Sequence, residues 1–263
     1  MRLRTLLAIS LCAYGAIAKA QTPTDALFDA IRAQDVAAID RLLSVEPKLA
    51  SATDAKGRSA VMMALFSAVG ESIPSPGHNA ALQALLKHAP TLSFFEICAT
   101  GNSDRVREAL GHDVSLAKSW HATGLSALHL AAFSGDTATT QLLLDRGAEL
   151  DARARNGFRN TPLQVALLAG NEATARLLLE RGADPLVRQE GGFAPIHEAA
   201  LLGRRDLVDL LLERGADINS RGNDGRNVLS EALRGGHPEF AEYLRTKGAK
   251  EVAITADLGK PPK

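Results

Sequence analysis

Seven histidines and two cysteines are the residues of this chain best suited to ligate a metal or to act as base or nucleophile. Such chemistry needs them clustered, as a histidine pair one helical turn apart or a Cys-x-x-Cys step. His129 and His197 stand 68 residues apart. His88, His112 and His121 have no Cys or Asp at ligand spacing, and no H-E-x-x-H, G-x-S-x-G or phosphate-cradling glycine loop occurs. A hidden catalytic centre would have to be assembled from Glu71, His78, His88, Cys98 and His112, which show no nucleophile–base order. The chain therefore reads as a non-enzyme without metal or cofactor, and the residues must be sought among those that bind.

The composition narrows what is bound. The 263 residues carry 30 Lys plus Arg against 30 Asp plus Glu, which excludes a general nucleic-acid binder. Hydrophobic residues make up 46%, too many for a disordered chain. Aromatics are only 4%, and the apolar residues are largely Ala and Leu, which favours helices.

Residues 1–20 read as a secretory signal peptide. Arg2 and Arg4 form a positive start, Leu6 to Ile17 an apolar run too short to span as a mature helix, and Ala18-Lys19-Ala20 a cleavage site before Gln21. Leu11 is too bulky before Cys12 for a lipoprotein signal. Cleavage would remove three bases and no acid, leaving 27 basic and 30 acidic side chains and a balance of −3. Cys98 would remain alone, without an internal disulfide. The expected compartment is bacterial, periplasmic or secreted, with no membrane insertion after cleavage.

The chain then repeats itself. GLSALHLAAFSGD from Gly124, FRNTPLQVALLAGN from Phe158, GFAPIHEAALLGR from Gly192 and GRNVLSEALRGGH from Gly225 align. Their closing glycines, Gly135, Gly170, Gly203 and Gly236, are 35, 33 and 33 residues apart, and Gly147, Gly182, Gly215 and Gly248 keep the same spacing. Two markers with one period define a repeat array. Its helix openings, Thr161-Pro162-Leu163 and Pro195-Ile196-His197, and its runs Leu142–Leu144, Leu177–Leu179 and Leu210–Leu212 resemble those of ankyrin repeats. Earlier residues fit less regularly: 94–102 match a first helix and turn, and 27–43 a helix pair.

The resemblance implies an all-α ankyrin-repeat solenoid of about seven stacked helix pairs with β-hairpin fingers and an irregular N-terminal third. The expected divisions are the signal peptide 1–20, degenerate repeats 21–119 with an insertion near 70–77, regular repeats 120–250 and a loose polar tail 251–263. Glu231, Arg234, Glu239 and Glu242 are expected to form a solvated end cap. His129 and His197 would hydrogen-bond backbone between repeats, and Cys98 would fill a small apolar slot.

The resemblance also implies where a partner would sit. The residues before the turn glycine would face a concave groove, giving an apolar stripe of Phe133, Leu168 and Leu201 that ends at Arg234. The finger tips would add Trp120, Arg155, Phe158, Arg159, Arg188, Phe193 and Arg226, a positive, aromatic edge opposed by few acids. The expected partner is another protein met by a monomer. The roles open are an envelope interaction module, including immunity or inhibition against an envelope enzyme or an accessory role beside an oxidative-stress enzyme, and an effector exported to a host cell.

Overall fold

A computed structural model describes residues 22–67 and 79–252. The signal peptide at 1–20, the insertion near 70–77 with Glu71 and His78, and the tail from 253 onward lie outside the described residues. Those described form fourteen α-helices in seven pairs, with two short 3-10 turns. They divide into two compact units, one running to Ser67 and resuming over Ala80–Pro90, the other taking in Thr91 onward.

The first unit holds two helix pairs. Helix α1 (Pro23–Arg32) begins with a capping box, in which the Thr22 hydroxyl and the Asp25 carboxylate satisfy each other's free backbone N–H groups. Its apolar residues Leu27, Phe28, Ala30 and Ile31 are buried. Helix α2 (Val36–Val45), capped by Asp35, buries Ile39 and Leu43. Helices α3 (Ala60–Ser67) and α4 (Ala80–Lys87) complete the unit, and α4 buries Ala81, Leu82, Ala84 and Leu85.

The second unit holds five pairs: α5 (Phe94–Thr100) with α6 (Ser103–His112), α7 (Ala127–Ser134) with α8 (Thr137–Asp145), α9 (Pro162–Leu168) with α10 (Glu172–Glu180), α11 (Pro195–Leu201) with α12 (Arg205–Glu213), and α13 (Val228–Arg234) with α14 (Pro238–Thr246). The first helix of each pair packs on that of the next, α5 on α7, α7 on α9, α9 on α11 and α11 on α13. These helices have only seven or eight residues, too short to be stable alone, so burial in the stack is what holds them. The core from Ala132 to Ala249 is made almost wholly of Ala, Leu, Ile and Val. The alanine pairs Ala131-Ala132 and Ala199-Ala200 are completely buried and let neighbouring helices approach closely.

A polar seam joins the repeats. His129 Nδ1 accepts the Ser126 N–H at 3.2 Å and its Nε2 meets the Asn160 carbonyl at 2.9 Å. His197 repeats this with the Ala194 N–H and the Ser220 carbonyl, at 3.1 and 3.0 Å. Gln164, at the equivalent position, donates to the Phe193 carbonyl at 3.0 Å. The two bonds fix each imidazole as the neutral form with its proton on Nε2. At the turns, Gly135 takes a φ of 78° and receives the Asn171 side chain of the following repeat, which donates to the Ala132 and Phe133 carbonyls at 3.0 and 2.8 Å. A Cβ at Gly135 would occupy that space.

The fingers are tight hairpin turns closed across themselves by backbone bonds, the His121 N–H to the Leu125 carbonyl at 2.8 Å, Ala154 to Asn160 and Gln189 to Phe193 at 2.9 Å and Gly222 to Arg226 at 2.8 Å. Among the described residues their β pairing is confined to single antiparallel bridges, Thr53 with Ser59, Trp120 with Ser126 and Arg221 with Asn227. One expectation needs correction. Glu231 is not part of a solvated cap. It is 2% exposed, because α13 packs its first turn against α11.

Candidate protein-binding surface

Each finger tip of the second unit is fastened to the next through the main chain. The Arg155 N–H donates to the Gly124 carbonyl at 2.7 Å, the Glu190 N–H to the Phe158 carbonyl at 2.9 Å and the Asn223 N–H to the Gly191 carbonyl at 2.8 Å. Side chains reinforce the line. Arg188 donates to the Gly192 and Arg221 carbonyls, both at 2.7 Å, and to Ser220 Oγ at 2.8 Å, while Arg153 donates to the Arg188 carbonyl. The tips thus form one continuous edge whose geometry is set before any partner arrives.

The aromatic residues of this edge are not equivalent. Trp120 is half-buried, its ring 5.9 Å from His129 and covered by the Arg155 guanidinium at 3.9 Å. Phe193 is used inside the molecule. Its ring lies edge-on to His197 at 5.2 Å, under Arg226 at 5.1 Å and against Gly222, where a Cβ would overlap the ring. Phe158 alone points away, 70% exposed.

The arginines divide as well. Arg226 is neutralised by Asp224 at 2.6 Å and Glu231 at 3.0 Å, which corrects the expectation that it offers free charge. Arg159 meets Glu190 only at 3.9 Å. Arg153, Arg155 and Arg188 have no ion-pair partner among the described residues, and the bonds of Arg153 and Arg188 go to neutral oxygens. The edge is positive around the second finger and compensated at the fourth.

The inner-helix row changes in the same direction. Leu168 and Leu201 remain partly exposed one repeat apart, followed by exposed Arg234. Phe133 does not belong with them. It is 4% exposed, enclosed where α7 packs against both α5 and α9, and so is core rather than contact surface. Cys98 is completely buried, and burial pushes its thiol up to about 12, which leaves it unreactive.

The sequence reading missed one polar cluster. Glu198 and Glu231 lie on the first helices of adjacent repeats, 4% and 2% exposed, where Leu130 and Val165 occupy the equivalent positions. Glu198 receives a bond of 3.5 Å from Gln164, and its second oxygen has no hydrogen-bond partner among the described residues. Burial and the nearby Glu231 raise its carboxyl to about 8. Glu231 is clasped by Arg226 and by Arg234, the latter at 2.5 Å. A glutamate where sister repeats carry Leu and Val was the available signal.

Among the described residues no group of three His, Cys, Asp or Glu is placed to hold a metal ion, and no helix is long and apolar enough to cross a membrane.

Stacked helix pairs, tips fastened repeat to repeat, and the His129 and His197 imidazoles bonded to backbone carbonyls of the next repeat define a repeat scaffold. The model of the family "Ankyrin repeats (3 copies)" matches at residues 94–189, 151–222 and 186–255, more than half of the chain, and the chain belongs to the ankyrin-repeat family. Ankyrin repeats are in general protein–protein interaction modules. The chain is also similar to a transient receptor potential cation channel subfamily A member 1 homolog of Caenorhabditis elegans, with 37% identity over 102 residues. That match takes in 35% of this chain and 8% of the relative, so the likeness concerns a small part of the larger protein.

Proposed function

We propose that this chain is a non-catalytic interaction module of the bacterial cell envelope, a monomer that holds a partner protein against its inner-helix row and finger edge. The observation that carries this reading is the pair Leu168 and Leu201. Apolar side chains left partly exposed at equivalent positions of successive repeats form a patch that a partner can cover. The exposed arginines of the fingers, which precede the same helices, add charge suited to selecting an acidic surface. Envelope placement rests on the signal-like pattern of residues 1–20.

The test is affinity capture from the envelope fraction of the source organism. A protein retained by the wild type and lost from a folded Leu168→Asp, Leu201→Asp double variant supports the row as the seat. Equal retention by both removes it. N-terminal sequencing tests the compartment: a chain beginning at Gln21 in the periplasmic fraction supports export, and an intact Met1 confined to the cytosol refutes it.

A further inference from the structure

Phe158 is the one exposed aromatic among the described residues, and its own backbone is hydrogen-bonded at both its N–H and its carbonyl. The Phe158 and Arg159 N–H groups both donate to Asn156 Oδ1, at 3.1 and 3.3 Å. The Phe158 carbonyl accepts from the Glu190 N–H of the next finger. Arg159 takes a φ of 57°, a left-handed conformation that a non-glycine residue adopts only when its surroundings impose it. The second finger is also two residues longer than its neighbours. The extra length does not hang loose. It is folded into a turn that presents one ring outward from a fixed backbone.

The charge near the ring is mostly positive, with Asp151 on the same finger and Glu190 on the next as the acids. Arg153, Arg155 and Arg159 lie on the same finger, and Arg188 on the next. Among the described residues the only carboxylate ion-paired with any of them is Glu190, 3.9 Å from Arg159. Arg155 keeps its guanidinium over Trp120, where no carboxylate among the described residues pairs with it.

We infer that Phe158 is a knob that enters an apolar pocket on a folded partner protein, and that the rim of this pocket is acidic. This rests on the protein-binding reading above and makes it specific. A ring that projects from a tip calls for a cavity on the other side, not for an extended peptide. The arginines beside it would meet the rim as the ring is buried, and the fixed backbone lowers the ordering cost of docking. A nucleic-acid chain would satisfy the charge, but single strands bind on successive stacked aromatics, and here a single ring is exposed. The balanced overall charge also opposes it.

The experiment uses the full chain carrying benzoylphenylalanine at position 158, produced and irradiated in its source cells. The cross-linked protein is identified, purified and titrated against wild type, Phe158→Ser, Phe158→Leu, and the double change Arg155→Glu, Arg159→Glu, with circular dichroism confirming each fold. The expected result is a cross-link to a pocket lined by apolar residues and bordered by Asp or Glu. Phe158→Ser should weaken Kd by roughly 30-fold or more, the usual effect of losing a central anchor. Phe158→Leu should recover most of that, and the charge reversal should weaken binding and reduce its salt dependence. A partner bound equally by wild type and Phe158→Ser overturns the inference while leaving protein binding intact, as does a cross-linked surface without carboxylates. A mixed-sequence oligonucleotide bound by wild type and released by the charge reversal overturns it in favour of nucleic acid. If the cross-linking chain gives no adduct and wild-type capture retains no protein, the protein-binding reading itself falls.

Discussion

Arg226 Nη1 lies 3.0 Å from Glu231 Oε1, so a finger side chain and a buried inner-helix carboxylate form one unit. The same guanidinium covers Phe193 and bonds Asp224 at 2.6 Å. The fourth finger is therefore anchored to the core by charge. Removing one member of a buried pair leaves the other without its compensation. Arg234 still clasps Glu231, which softens the loss, so Arg226→Ala should cost about 2–3 kcal/mol. Arg245→Ala, which removes only exposed pairs, should be close to neutral. Urea unfolding of the two variants distinguishes these outcomes, and equal midpoints would contradict the anchoring role.

Glu198 gives stability a falling limb on the alkaline side. Burial and Glu231 raise its carboxyl from 4.5 to about 8. Between those values the folded chain keeps a proton that the unfolded chain releases, so stability falls as pH rises from about 4.5 to 8. The groups facing Glu198 are Gln164 and Glu231, with Arg226 and Arg234 behind the latter. Glu198→Gln should flatten this limb and be more stable than wild type at pH 8. Parallel pH profiles of the urea midpoint for the two proteins would refute the assignment.

His129 sets the opposite limb. Burial lowers its imidazole from 6.5 to about 4, against the opposing effect of its bonds to backbone carbonyls. The unfolded chain binds a proton first, so stability is lost as pH falls from 6.5 toward 4, on the order of 3 kcal/mol in all. His129→Gln should fold, because Gln164 makes the equivalent inter-repeat bond, and its acid limb should become shallower, the remainder including His197, whose imidazole burial also lowers. An unchanged acid limb in that variant would place the loss elsewhere.

Phe133 and Leu201 occupy equivalent positions but differ in burial. A carboxylate at Phe133, 4% exposed, would be trapped without a partner, so Phe133→Asp should unfold the second unit or shift its midpoint strongly. Leu201→Asp can be solvated and should leave far-ultraviolet dichroism unchanged. Similar thermal stability of the two variants would mean that the row is uniform after all.

The leucine runs carry the stack. Leu178 and Leu211 are completely buried at equivalent positions of α10 and α12. Truncation of either to alanine should cost ~2–4 kcal/mol. The two leucines belong to adjacent repeats of one core cluster, so the double variant should lose more than either single variant, and any departure from additivity reports their coupling. A double variant as stable as either single variant would contradict that picture.

How much of this was legible beforehand depends on what each residue answers to. Gly135 and Gly203 answer to the local turn, and Leu178 and Leu211 to the period, so the helix pairs could be placed from spacing. His129 and His197 were placed by the resemblance, and their bonds to Asn160 and Ser220 carry the role it implied. Phe133 answers to how tightly α7 is flanked, which no one-dimensional pattern records. Phe193 and Arg226 have the composition of a contact surface, yet each satisfies the other inside the molecule. Glu231 looked like solvent-facing charge because Arg234 and Glu239 nearby do face solvent, and only packing against α11 reveals it as buried. Sequence thus distinguishes residues with local causes from those whose causes lie one repeat away.

The bonds that join successive finger tips run between peptide groups, Arg155 to Gly124, Glu190 to Phe158 and Asn223 to Gly191. Their step is indifferent to most of the side chains mounted on them. Mutation can therefore rewrite what the edge recognises while the interval between its letters stays constant, and a tip can even gain residues, as the second finger has, without losing its place in the line.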